Sequence, residues 1–206
     1  MDPWLRNAAR RAIGFMPDDE GMALYEAALE AAPRGPLLEI GSYCGKSTLY
    51  LAAAARERDS IVFSVDHHRG SEEHQPGEEY HDPALTDADG KVDTLATFRR
   101  TIEQAGVSEV VVGIVAASQV AAKAWATPVA LAFIDGGHSI EAAMADYRVW
   151  TPHLIEGGLL AIHDVFEDPA EGGRPPFEIY QHALQTGSFE DLSKRGSLRV
   201  LRKSAS

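Results

Sequence analysis

At 206 residues the chain is long enough for one sizeable core and short for two domains, so residues 1–206 are read as a single domain. Hydrophobic residues at 45% and charged residues at 24% are ordinary for a soluble globular protein, while a net charge of −12 with acids scattered along the chain argues against nucleic-acid partners, which call for basic patches. No apolar run approaches membrane-span length, Met1 to Met16 lacks the apolar core of a signal peptide, and a lone Cys44 excludes an internal disulfide; the expected setting is the cytoplasm, away from membranes.

The chain opens with two expected helices over residues 1–35. In the first, Trp4, Leu5, Ala8, Ala9 and Ala12 fall at helical spacing with Arg6, Arg10 and Arg11 between them. Such a helix covers either the sheet or a second copy, and a homodimer is expected. The second helix is expected to open at Asp18 or Asp19 and run to Pro33, with Pro36 starting the first strand.

The stretch LLEIGSYCGKSTLYLA, Leu37 to Ala52, is an apolar run ending in a carboxylate, then a glycine turn, then a hydroxyl-rich opening to an Ala/Leu helix. That order describes a strand delivering a nucleotide-type ligand to the first turn of a helix. Gly41 and Gly45 lack a Cβ and let backbone approach a ligand, and Ser47 and Thr48 are expected to satisfy free amides at the helix start. Glu39 is unusual, because a buried carboxylate without a partner is costly. A pyrophosphate would be repelled by it, and the turn has no G-x-G-x-x-G. S-adenosylmethionine (SAM), cationic and without phosphate, suits an acidic strand end better. IVFSVDHH, Ile61 to His68, is a second apolar run ending in an acid; Asp66 is expected to meet ribose hydroxyls, a little beyond the roughly 20-residue offset seen in nucleotide folds. The cofactor-binding candidates are Glu39, Gly41, Ser42, Gly45, Ser47, Asp66, His67, Ser118 and Asp135.

Further along, strands and helices alternate: a helix over Lys46 to Arg56, then Lys91 to Ala105, Val110 to Val115, Ser118 to Trp125, Val129 to Asp135, Ile140 to Trp150 and Gly158 to His163. Alternation of this kind implies a parallel sheet with right-handed crossovers and helices on both faces. The tail departs from it. Phe177 to Gln185 reads as a helix, and Ser188 to Ser193 with Ser197 to Arg202, separated by KRG, as an antiparallel hairpin. The fold class is therefore α/β: a Rossmann-like, doubly wound, mostly parallel seven-stranded sheet with a C-terminal antiparallel strand.

Residues 67–90 interrupt the alternation. This histidine- and acid-rich segment follows a strand's carboxyl end, where ligands bind in such sheets, and is expected to be a substrate lid. His67, His68, His74 and His81 are candidates to touch an acceptor or a metal. Cys44, Trp125 and Trp150 are expected to fill space. So is the apolar stripe Ile140, Ala143, Met144 and Tyr147.

The densest chemistry lies between Leu131 and Phe166. Asp135 ends one strand, and His163 with Asp164 end the next, so three potential ligands meet at one sheet edge; oxygen and imidazole donors without thiolates favour Mg2+ or Mn2+. Neighbours on a strand face opposite ways, so His163 and Asp164 share a metal only where the strand has already ended. His138, in the glycine loop after Asp135, is the expected general base for deprotonating an alcohol, with Asp135 beside it in the catalytic set.

FIDGGHS and AIHDVF, together with EIGSYCGKST and VDHHRG, resemble the class I SAM-dependent methyltransferases, in particular the small bacterial branch similar to metal-dependent sugar O-methyltransferases. The resemblance implies a saccharide acceptor, with the 1-hydroxyl of a 3-O-methylated mannoside one candidate. It also implies a divalent cation on Asp135 and the His163–Asp164 pair, and a base at His138. His163 departs from that pattern, which has an acid there. A metal-independent small-molecule O-methyltransferase, a nicotinamide-dependent oxidoreductase and a non-catalytic SAM-binding module are the alternatives.

Overall fold

The first helix, α1 (Pro3–Arg11), is set by Asp2, whose carboxylate accepts from the Trp4 and Leu5 amides at 2.7 and 3.2 Å, with Pro3 at the first helical position. Leu5 and Ala9 are buried, but Trp4 is 53% exposed. The helix thus covers its own domain through Leu5 and Ala9, and Trp4 takes no part in that cover. The second helix, α2 (Asp18–Ala31), carries Asp18, Asp19 and Glu20 in its first turn, where carboxylates favour the helix dipole. It ends in a 3-10 turn at Ala32–Arg34 before Pro36. The protein, as a computed structural model, is described over residues 1–78, 80–136, 139–170 and 172–205.

Seven strands follow: β1 (Leu37–Ile40), β2 (Val62–Asp66), β3 (Val111–Val115), β4 (Val129–Ile134), β5 (Leu154–Ile162), β6 (Phe189–Arg195) and β7 (Leu198–Lys203). Between them lie α3 (Lys46–Glu57), α4 (Leu95–Ala105), α5 (Ser118–Ala122), α6 (Ile140–Trp150) and α7 (Pro175–Gln185). They form one sheet in the order β3-β2-β1-β4-β5-β7-β6. The first five strands are parallel, and β7 runs antiparallel between β5 and β6. The reversal of strand order between β1 and β4 puts the carboxyl ends of both at a topological switch point, where α/β sheets bind ligands.

Each sheet face has its own apolar cluster. Alternation along β1 sends Leu37 toward Leu24, Leu49 and Leu51, and Leu38 and Ile40 toward Trp150, Leu160 and Ile179. Glu39 shares the face of Leu37, so its carboxylate enters the layer beneath α3.

Several boundaries differ from the expected ones for local reasons. The fourth helix starts at Leu95 rather than Lys91, because Val92 bridges Thr86 and the Asp93 carboxylate accepts from the Leu95 amide at 3.0 Å. The helix α5 stops at Ala122 rather than Trp125. Trp125 turns out to meet Phe63 and Trp150 edge-on at 4.9 and 5.2 Å. β5 begins at Leu154 rather than Gly158, with a register shift opposite Val129–Leu131. In α6, Ala143 and Tyr147 are buried, but Ile140 is 52% exposed and lies outside the core stripe.

The segment from His67 is organised, with 3-10 turns at Glu72–His74 and Pro83–Leu85 and an Arg69–Asp87 ion pair at 2.8 Å. His68 is buried. Its Nδ1 lies 2.8 Å from Thr94 Oγ1 and its ring packs on Phe98, so it holds the segment down on α4.

Candidate functional site: the carboxyl edge of β1, β4 and β5

The turn after β1 is held open by its own amides. Ser42 and Tyr43 donate their N–H groups to Asp66 Oδ2 at 2.9 and 2.8 Å, and His68 donates its amide to Asp66 Oδ1 at 2.7 Å. Asp66 therefore clamps the turn from β2, three amides being its partners; ribose recognition would have to use the lone pairs that remain on the same carboxylate. Gly41 has φ +87°, and a Cβ there would lie 2.6 Å from the Asp135 carbonyl oxygen, so the β1 and β4 turns touch backbone to backbone. Gly41→Ala is expected to destabilise the fold by about 1–3 kcal/mol through left-handed strain and overlap, read as a lower Tm and weakened cofactor binding. Gly45, at φ +91°, starts α3 without a side-chain cap. The Ser42 hydroxyl is buried and has no hydrogen-bond partner among the described residues.

Glu39 is 0% exposed and accepts from Ser47 Oγ at 2.6 Å, Thr48 Oγ1 at 2.6 Å and Ser64 Oγ at 2.7 Å. This corrects one expectation: Ser47 and Thr48 spend their hydroxyls on Glu39 rather than on the free amides of α3. The reason is the strand's pleat, which points Glu39 under the first turn of the helix. Burial, outweighing the three hydroxyl donors, pushes its pKa up to about 7.

Ser118 accepts from Trp150 Nε1 at 2.7 Å, at the carboxyl side of β3. His67 accepts from the Arg69 amide at 3.0 Å. Neither contact reaches the β1 turn.

At the ends of β4 and β5 the expected trio comes together. Ligand atoms of Asp135, His163 and Asp164 lie within 4.8 Å of one another. His163 Nδ1 is 3.0 Å from Asp135 Oδ1 and 3.3 Å from Asp164 Oδ1. The alternation objection is met by the backbone: β5 ends at Ile162, and Asp164 takes φ +56°, a left-handed conformation that Asp tolerates, turning its carboxylate back beside His163. A cleft opens there, lined by Asp135, Gly136, His163, Asp164 and Ile179.

The other imidazole nitrogen meets a residue that sequence reasoning missed. His163 Nε2 donates to Glu20 Oε2 at 2.6 Å, and both side chains are buried. Glu20 in turn accepts from the Ser197 amide at 2.7 Å and from Ser197 Oγ at 3.0 Å. Burial alone would lower the His163 pKa, but Asp135, Glu20 and Asp164 together push it up to about 11. Burial likewise opposes ionisation of Glu20, yet the His163 and Ser197 bonds hold its carboxyl below the usual value. The signal was present in the sequence as an acid in the first turn of α2, but its partner is 143 residues away. His138 and Gly137, the expected base and its neighbour, lie outside the described residues.

The methyltransferase domain family matches residues 38–165, more than half of the chain, from within β1 to just past the Asp135–His163–Asp164 cluster. The chain belongs to this family. It is a class I SAM-dependent methyltransferase, which sets aside the nicotinamide oxidoreductase alternative. Among solved structures it is similar to the O-methyltransferase NovP, at 15% identity and a TM-score of 0.70 over 98% of this chain and 88% of that one. It is also similar to cofactor-bound Rv0187 from MTB, at 17% identity and a TM-score of 0.67 over 98% and 90%. TomG of Streptomyces achromogenes, an O-methyltransferase of tomaymycin synthesis in complex with SAM, aligns at 13% identity and a TM-score of 0.65 over 100% and 91%. At these identities the likeness establishes the fold. No helix among the described residues is long and apolar enough to cross a membrane.

Proposed function

We propose that the chain transfers the methyl group of SAM to a hydroxyl of a small saccharide, assisted by a divalent cation at Asp135, His163 and Asp164. The observation that carries the reading is the trio itself, two carboxylates and an imidazole nitrogen within 4.8 Å at the switch point, beside the turn that Gly41 packs against Asp135. O-methyltransferases among the similar structures support oxygen as the acceptor atom. The saccharide, with a 3-O-methylated mannoside tried first at its 1-hydroxyl, is supported by the resemblance of the EIGSYCGKST, VDHHRG, FIDGGHS and AIHDVF motifs.

The donor set fits a hard divalent cation. Carboxylate oxygens suit Mg2+ and Mn2+, and the imidazole tilts the choice toward Mn2+. When bound, such a cation would lower the pKa of a coordinated hydroxyl. The chain's own residues do the rest. The Gly41–Gly45 turn and the Ser42 hydroxyl hold the donor, and Asp135 and Asp164 place negative charge beside the acceptor. His138, three residues after Asp135 in the sequence, is the residue proposed to take the hydroxyl proton. The new bond joins the acceptor oxygen to the methyl carbon as the carbon–sulfur bond breaks, leaving S-adenosylhomocysteine and a methyl ether.

Methyl transfer from labelled SAM to small mannosides, with and without EDTA, tests the reading. Activity is expected to fall at least about tenfold with EDTA and to return with Mn2+ or Mg2+. Activity indifferent to the chelator would remove the cation and leave a metal-independent O-methyltransferase. That second reading has an observation of its own: His163 lies within 3.3 Å of three carboxylates, so its imidazolium could supply the local positive charge.

A further inference from the structure

We infer that Glu20 is a positioning residue that orients His163 for a cation, an inference that rests on the cation-assisted reading above. An imidazole that ligates a metal is neutral, with one nitrogen carrying hydrogen and the other offering a lone pair. Which nitrogen does which is decided by the partner of the one that faces away. For His163 that partner is Glu20, an ionised carboxylate that only accepts, 2.6 Å from Nε2. The hydrogen therefore belongs on Nε2, and Nδ1 is the atom turned toward Asp135 and Asp164.

Glu20 cannot adopt another arrangement cheaply. Its two oxygens are fixed by the Ser197 amide and hydroxyl, in the turn between β6 and β7. Gly196, at φ +54°, leaves no room for a side chain against Glu20 Oε1, and Gly21 packs directly against the Tyr50 ring, which fixes this turn of α2 on α3. The carboxylate is 5% exposed and is not one of the residues of the Asp135–His163–Asp164 cluster, so it acts through the imidazole and not as a ligand. Helix α2 and the C-terminal hairpin thus converge on one ring nitrogen at the sheet edge.

Glu20→Gln keeps the shape and reverses the instruction. The Ser197 amide demands an oxygen, so the Gln amide nitrogen faces Nε2 and donates to it, which moves the imidazole hydrogen to Nδ1. The experiment is a titration of the full-length protein with Mn2+ alone, followed by electron paramagnetic resonance, with spin-echo modulation to detect a bound histidine nitrogen. S-adenosylhomocysteine binding and thermal melting are measured in parallel. For E20Q we expect Mn2+ affinity lowered about 10–100-fold and the histidine-nitrogen modulation lost, with S-adenosylhomocysteine affinity unchanged. E20D, too short to reach Nε2 while bonded to Ser197, is expected not to rescue either. S197A removes only one anchor and is expected to show a smaller loss in the same sense; it decides the matter should E20Q not fold. Wild-type Mn2+ affinity with intact histidine modulation in folded E20Q, or in S197A if E20Q is unfolded, overturns the role of Glu20. A wild-type protein that binds no Mn2+ overturns the cation reading itself, a separate and recognisable result.

Discussion

Asp135→Asn is expected to lower kcat/KM for methyl transfer at least about a hundredfold while leaving the protein folded. The substitution keeps the size of a half-buried side chain whose Oδ1 lies 3.0 Å from His163 Nδ1, and removes only its charge. Whether the proposed positive charge beside the acceptor is a divalent cation or the His163 imidazolium, the Asp135 carboxylate lies against it, on a residue whose backbone packs against Gly41 of the β1 turn. Its loss should therefore appear in the chemical step under either reading. The side chain is partly solvated, so the stability cost is expected to be about 1 kcal/mol, a Tm shift of about 2–4 °C for a chain of this size. A D135N protein with near wild-type turnover would remove Asp135 from the site. One that fails to fold would show that the carboxylate is a structural partner of His163 first.

The second large effect concerns stability and comes from Glu39. Burial raises its pKa to about 7, whereas in the unfolded chain the carboxyl titrates near 4.5. The folded state thus holds this proton more tightly than the unfolded state. The associated stability is fully present below pH 4.5 and is lost as pH rises through 7, about 3 kcal/mol in all. Glu39→Gln has no proton to lose, and the Ser47, Thr48 and Ser64 hydroxyls can each rotate to accept from or donate to the amide. Relative to wild type, E39Q is expected to gain about 3 kcal/mol between pH 4.5 and pH 8, followed by chemical denaturation at each pH. Parallel stability curves for the two proteins would show that Glu39 ionises in the folded state as easily as in water. Below pH 4.5, where wild type keeps its full proton-linked stability, Glu39→Ala should instead cost about 2–5 kcal/mol, because it leaves a cavity and three buried hydroxyls without their acceptor; the cost should shrink by about 3 kcal/mol as pH rises through 7.

Much of the architecture was legible because period and punctuation agree with the tertiary result. Leu37–Ile40, the glycine turn and the Ala/Leu run behind it could only be a strand feeding a helix, and the KRG between two short polar-apolar runs could only turn a hairpin. The boundaries that moved are those where a tertiary partner outbid local preference. Trp125 leaves helical geometry to reach Phe63 and Trp150, and Lys91 to Thr94 are drawn off α4 by the bridge to Thr86 and the Thr94–His68 hydrogen bond. The grouping of Asp135, His163 and Asp164 was legible from chain order, since parallel strands deliver their carboxyl ends to one edge.

By itself, then, the sequence determined which residues stand at the ligand edge, because strand order and the carboxyl-end rule are properties of the pattern. Only the tertiary structure decided which way their side chains face and what they touch. Pleat direction sent Glu39 under α3 onto the Ser47, Thr48 and Ser64 hydroxyls, a left-handed Asp164 brought its carboxylate beside His163, and the packing of α2 against the C-terminal hairpin placed Glu20 on His163 Nε2. Orientation and long-range pairing depend on contacts between segments far apart in the chain, and no local pattern encodes them.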